Sequence, residues 1–273
     1  MRSGELITIS FIVGLSIVGI TFWKVAAYEV GVEWVNDYGF LYYDSEEADE
    51  WSGFIWLSDL DNSDDKAVGF YNKLSNDGWT KKFNYGDDMA WEKDFKKSSL
   101  GGQDYLIIDN VDFAYFSGHG RPTGFYFNND HDDRKLSGTK NYKEAEWGNT
   151  KLKWIVIDAC RVLQENDDDG RWSERWGWSV FKGLHQILGF ETSAHDVSDR
   201  GNKFADYMIE NEYTIKNAWF KACDDTETDV RASVIFICDS GSTNTANDHL
   251  PGHGSFATTT QNPTCLGMVV HNC

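Results

Sequence analysis

Two stretches decide the fold: Phe113-Ala114-Tyr115-Phe116-Ser117-Gly118-His119-Gly120 and Trp154-Ile155-Val156-Ile157-Asp158-Ala159-Cys160. Each is a short apolar run that ends in residues able to do chemistry. The second is rich in β-branched residues, and such runs predict strands buried on both faces of a parallel sheet. In open parallel sheets ligands bind beyond the carboxyl ends of the strands. Two parallel strands ending in His119 and Cys160 therefore place an imidazole and a thiol on the functional edge.

Outward from these runs, strands and helices alternate. Tyr28–Val35, Trp79–Tyr85, Gln186–Thr192 and Ala232–Cys238 read as further strands, the last of these as the final one. Asp64–Asn76 opens on acids and spaces Val68, Tyr71 and Leu74 helically, with Gly78 as its stop. Asp87–Lys97, Lys203–Asn211 and Thr214–Cys223 read as helices too. The alternation predicts an α/β fold with a mainly parallel sheet.

The chain of 273 residues is 41% hydrophobic and 25% charged, which excludes general disorder. Its formal net charge of −19 would repel phosphate backbones and argues against nucleic acid as a partner. Leu6–Trp23 runs for 18 positions without a charge. At about 1.5 Å per residue that is roughly 27 Å of helix, close to the hydrocarbon thickness of a bilayer. Residues 1–27 are read as a signal peptide or membrane anchor, and small residues at Val25-Ala26-Ala27 suit a signal peptidase. The body is expected outside the cytoplasm, secreted or tethered to the membrane through its N-terminal segment. Residues 28–240 form the α/β domain in this reading, and 241–273 an extension packed on it.

The five cysteines agree with export. With Cys160 kept free, Cys223, Cys238, Cys265 and Cys273 allow three pairings, among which the sequence does not choose. His249, His253, Cys265, His271 and Cys273 crowd the tail in no known zinc spacing, so no metal site is assigned. No cofactor is assigned either. Calcium is an option at two acidic turns, Asp59–Asp65 and Asn166–Gly170, although the first lacks the turn glycine and closing glutamate of a calcium loop. Trp172, Trp176 and Trp178 would serve as core and lid or wall a groove, and His185 and His195 are read as structural.

A thiol is a strong nucleophile once deprotonated, and a nearby imidazole can take its proton or protonate a leaving amine. Glycines around His119 allow close approach of a substrate backbone and turn the Gly120 N–H toward an oxyanion.

This combination resembles the clan CD cysteine peptidases, which include caspases, legumain, gingipains, clostripain and metacaspases. Their pattern is an apolar run ending in His-Gly, a spacer, and a second run ending in an acid or Gln, then Ala or Ser, then Cys. Phe204–Ala222 is similar to the segment that follows the catalytic strands in related CHAT domains. Trp147-Gly148-Asn149, Gly183-Leu184-His185 and Gly189-Phe190 resemble an uncharacterised prokaryotic family placed near these peptidases. The resemblance implies a caspase-like three-layer sandwich over about residues 28–240 and a cysteine endopeptidase acting on protein or peptide substrates. It makes His119 the catalytic histidine and Cys160 the nucleophile, with the N–H groups of Gly120 and Cys160 as the oxyanion hole. Asp158 would receive an Arg or Lys before the cut bond, as an anion there should. Arg161 stands where metacaspases continue with His-Ser-Gly. The alternative is a caspase-fold binding or assembly module without hydrolysis, at the cell surface.

Overall fold

Residues 28–38, 40–43, 54–128 and 134–273 are described by the computed structural model. The expected signal or anchor, residues 1–27, lies outside them. Among the described residues no helix is long and apolar enough to cross a membrane.

The central sheet has seven strands: β1 (Glu29–Trp34), β2 (Thr80–Gly86), β3 (Phe113–Ser117), β4 (Trp154–Asp158), β5 (Gln186–Phe190), β6 (Arg231–Ile237) and β7 (Leu266–Asn272). Their order is β7-β6-β5-β4-β3-β1-β2. From β2 through β5 neighbours run parallel, and β6 and β7 are added antiparallel. The protein is thus a mixed α/β fold with a mostly parallel sheet. Every residue of β3, β4 and β5 is buried, as expected of central strands covered on both faces.

The period-two alternation of these strands divides the core. Phe113, Tyr115, Trp154 and Val156 face one side, where α1 (Ser63–Asn76), α2 (Arg200–Ile209) and α3 (Ile215–Asp224) contribute Phe70, Phe204 and Trp219. Ala114, Phe116, Ile155 and Ile157 face the other side, among Phe95, Phe125, Trp147 and Trp176. That side is covered by 3-10 turns between Asp87 and Asn110 and by a ribbon of three short strands at Gly120–Arg121, Gly124–Tyr126 and Lys135–Ser137.

Local signals place the helices. In α1, Ala67, Phe70, Tyr71 and Leu74 are buried at helical spacing, with Asp64 and Asp65 in the first turn and Lys73 in the last, complementing the helix dipole. Thr214 caps α3 by accepting the Asn217 N–H.

Two expectations are corrected. Asp87–Lys97 is not an α-helix but holds two 3-10 turns, Asp87–Met89 and Glu92–Asp94. Asp87 has a left-handed φ of 47°, and Glu92, Asp94 and Lys96 turn inward at alternate positions. The Lys96 ammonium there meets Glu92 at 3.2 Å and Glu144 at 2.6 Å. The sheet also does not end at β6, because β7, from the segment after residue 240, pairs along its whole length.

Candidate active site at the carboxyl ends of β3 and β4

β3 and β4 are adjacent and parallel, in a register that sets Ser117 opposite Asp158. The chain beyond each strand therefore leaves the sheet at the same level. His119 and Cys160 line one cavity of about 70 Å3, together with Leu60, Lys66, Ala194 and Asp196. Gly120 lies against the second strand's exit: a Cβ there would come within 2.7 Å of the Ala159 Cβ and 3.0 Å of the Cys160 carbonyl oxygen. Only glycine allows this approach, which makes the two segments of the expected oxyanion hole neighbours.

His119 is held from three directions. Its backbone N–H donates to the Tyr38 hydroxyl at 3.0 Å, and that hydroxyl donates to the Tyr126 carbonyl at 2.8 Å. The Tyr38 ring packs on the imidazole with centroids 4.6 Å apart. Nε2 lies 2.7 Å from the Ser58 carbonyl oxygen. A carbonyl only accepts, so Nε2 carries the proton and Nδ1 is left as a proton acceptor. Burial pushes the imidazole pKa below its ordinary 6.5, against the opposing pull of the Ser58 bond and the Asp196 carboxylate. The ring is accordingly neutral near pH 7, the form in which a histidine can act as a base.

Cys160 is half-buried, and its Sγ accepts the Ala194 N–H at 3.3 Å and lies 3.4 Å from the Ala194 carbonyl oxygen. Arg161 follows in the left-handed region at φ 59°, its N–H bonded to the Thr192 carbonyl. This conformation is uncommon for a side chain branching from Cα and turns the backbone sharply after the thiol.

Asp158 lines the same cavity, but its carboxylate is not offered to it. The residue is 2% exposed. Arg200, itself buried, donates to Oδ1 at 2.5 Å, the Tyr115 hydroxyl donates to Oδ2 at 2.7 Å, and the Lys66 ammonium lies 3.8 Å away. The expected role of receiving a substrate cation meets a carboxylate already neutralised from within. A substrate guanidinium would have to displace Arg200 to reach it. Arg200 also donates to Glu227 and to the His195 carbonyl, so one cation ties the end of β4 to the loop carrying Ala194.

His195, read from the sequence as structural, instead stands at the cavity wall with a side chain 72% exposed. Its Nδ1 pairs with Glu227 at 2.7 Å. It also borders a second cavity of about 320 Å3 lined by Asp224, Asp225 and Glu227. No sequence signal near His195 marks it, since its partners come from elements far along the chain. His185 is fully buried between Asp248, at 2.7 Å, and Thr259, at 2.9 Å. Trp172 and Trp176 are core residues, and Trp178 is exposed.

In the acidic turns, four carboxylates accept from protein donors. Asp59 accepts the Tyr38 N–H, Asp64 accepts from Asn36, Asp167 pairs with Arg175, and Asp169 accepts the Lys140 N–H. The tail cysteines divide. Cys238 and Cys265 form a disulfide, while Cys160, Cys223 and Cys273 are thiols. Cys223 donates to the Cys273 sulfur, which brings the Cys273 thiol down to about 7, and burial pushes Cys223 well above the usual thiol range. Donor atoms of Asp224, His271 and Cys273 gather within 4.8 Å of one another, the one set of three or more possible metal ligands among the described residues. The spacing His271-x-Cys273, which puts both side chains on one face of an extended chain, was its sequence signal.

A family model described as a domain of unknown function, DUF6345, matches residues 32–272. The chain belongs to the DUF6345 family. The match begins within β1 and ends with β7, so it takes in part or all of every strand of the central sheet and both halves of the candidate site. No curated protein matches the chain.

Proposed function

We propose that the chain is a cysteine endopeptidase of caspase-like fold that uses a His119–Cys160 dyad. The observation that carries this reading is the convergence of a neutral imidazole, with an accepting nitrogen, and a thiol in one cavity at the ends of neighbouring parallel strands. In the reaction His119 takes the Cys160 proton as the sulfur attacks the scissile carbonyl carbon, forming the S–C bond. The oxyanion is met by the Gly120 and Cys160 N–H groups. Collapse breaks the C–N bond, and His119 returns the proton to the leaving amine. Water, deprotonated by His119, then hydrolyses the thioester and restores the thiol.

Cleavage after Arg or Lys belongs to the same proposal, with a changed basis. Asp158 is committed to Arg200, so the attraction for a cation falls to Asp224 in the neighbouring cavity, where Glu227 is also held by Arg200 and Asp225 pairs with Lys221. The Cys238–Cys265 disulfide supports an exported location, since such bonds persist in oxidising compartments. The membrane is the proposed partner of the apolar Leu6–Trp23 run.

A second reading is a binding module without hydrolysis. It is favoured by the small size of the cavity and by the Cys160 thiol bonded to Ala194 rather than to His119.

Peptides presenting Arg, Lys, Leu or Asp before the cut bond separate the two. The peptidase reading expects turnover of the Arg and Lys peptides that disappears in Cys160→Ala and falls about 10²–10⁴-fold in His119→Ala, with unchanged circular dichroism. A folded chain that cleaves none of them, or whose Cys160→Ala variant cleaves as well as the parent, overturns it.

A further inference from the structure

We propose that Asp224, His271 and Cys273 form a zinc-binding site at the corner where the C-terminal end of α3 meets the end of β7. The site is independent of the dyad; it shares Asp224 with the acidic cavity of that reading and adds His271 and Cys273, which that reading leaves idle.

The argument begins with the two elements. His271 lies on the edge strand and Cys273 directly follows its last residue, two positions on, and the side chains of both come together with that of Asp224 at the end of α3. Asp224 is the last residue of α3. The three side chains supply a nitrogen, a sulfur and an oxygen, all within 4.8 Å of one another. Tetrahedral zinc bonds of about 2.0–2.3 Å set donor separations of about 3.3–3.8 Å, so the three donors, which lie within 4.8 Å of one another with His271 Nε2 and Asp224 Oδ1 at 2.7 Å, reach the sphere by side-chain shifts of about an ångström or less. Thiolate and imidazole together suit zinc and exclude calcium or magnesium, which take oxygen ligands.

The surroundings hold the ligands in place. The His271 ring stacks on Phe220 with centroids 4.9 Å apart, and Nε2 lies 2.7 Å from Asp224 Oδ1. Around Cys273 the backbone is pinned at both ends: its N–H donates to the Val230 carbonyl, and its carbonyl accepts from Asp229. Cys273 packs against the buried cluster that contains Cys223, the place of an outer neighbour that fixes a ligand's position. Asp224 and His271 are each more than a third exposed, which gives an ion a way in. Three protein ligands with an exposed side leave a fourth position for water or a ligand atom, as in open zinc sites.

Binding balances simply. Cys273 gives up its thiol proton to solvent, and His271 ligates through Nε2 as an imidazole whose one ring proton is on Nδ1. Asp224 enters as the carboxylate, and no electron is transferred.

The competing use of the same corner is a Cys223–Cys273 disulfide, formed by exchange with a small-molecule disulfide and incompatible with a Cys273 thiolate ligand. The test takes the 273-residue chain, without a polyhistidine tag, in mild detergent, stripped with chelator and kept reduced, and titrates it with Co2+ and then Zn2+. The proposal expects one equivalent of Co2+ to give a thiolate-to-cobalt charge-transfer band that Zn2+ abolishes. The band should vanish in Cys273→Ser and persist in Cys160→Ser. Zinc affinity should fall at least about tenfold in His271→Ala and in Asp224→Asn. Absence of the band in folded protein, or its survival in Cys273→Ser, overturns the proposal. So does a Cys223–Cys273 linked peptide as the sole form in mass spectra of protein isolated without reductant.

Discussion

Cys160 and Cys273 both lie at the edge of the sheet where the parallel strands end, yet their surroundings assign them different chemistry. Cys160 has a backbone amide on its sulfur and shares a cavity with a neutral histidine whose Nδ1 is open to a proton. Cys273 has a second thiol on its sulfur and, close by, a histidine whose Nε2 is already bonded to a carboxylate. A proton acceptor sharing a cavity with a thiol suits the proposed nucleophile, whereas a carboxylate, an imidazole and a thiol converging on one point suit the proposed ligand set. The residue type is the same, and the neighbours decide the use.

The largest way to break this contrast is to remove the cation under the first corner. Arg200 is wholly buried and holds Asp158 and Glu227, both buried as well. Arg200→Met takes the shared cation from two buried carboxylates and should cost about 3–5 kcal/mol, read as a lower urea midpoint. A loss under about 1 kcal/mol would mean that this network does not hold the Cys160 loop.

A smaller effect sharpens the contrast through pH. Burial lowers the His119 pKa below 6.5 in the folded protein, so between that depressed value and about 6.5 the unfolded chain binds more protons. Stability then rises with pH across this window, and it is lost as pH falls through it. Turnover should show an acid limb below pH 6.5 for the same reason, since only the neutral ring accepts the thiol proton. The stability slope in this window should flatten in His119→Gln. An unchanged slope would assign it to another group.

Much of the fold was legible because it rests on local pattern. The apolar runs at Phe113–Phe116 and Trp154–Ile157 announce central strands, and the spacing of Phe70, Tyr71 and Leu74 announces α1. What escaped depends on partners distant in the chain. Leu266–Asn272 is an only half-buried edge strand, so its pattern is diluted, and β7 was missed. The disulfide choice among three pairings is settled by register: Ile237 opposes Leu266, which brings the next residues, Cys238 and Cys265, face to face. Asp158 reads as an open anion until Arg200, which lies 42 positions further on, is folded against it. His195 was unreadable for the same reason, because Glu227 rather than any neighbour places it at the cavity.

The central claim is that His119 activates Cys160. Its most direct test is the rate at which a peptidyl-arginyl chloromethyl ketone alkylates each thiol at pH 7, followed by peptide mapping. The account predicts that Cys160 is labelled faster than Cys223 and Cys273, and that His119→Ala slows Cys160 alone. Equal labelling of Cys160 in the parent and in His119→Ala, with the protein folded in both, would contradict it.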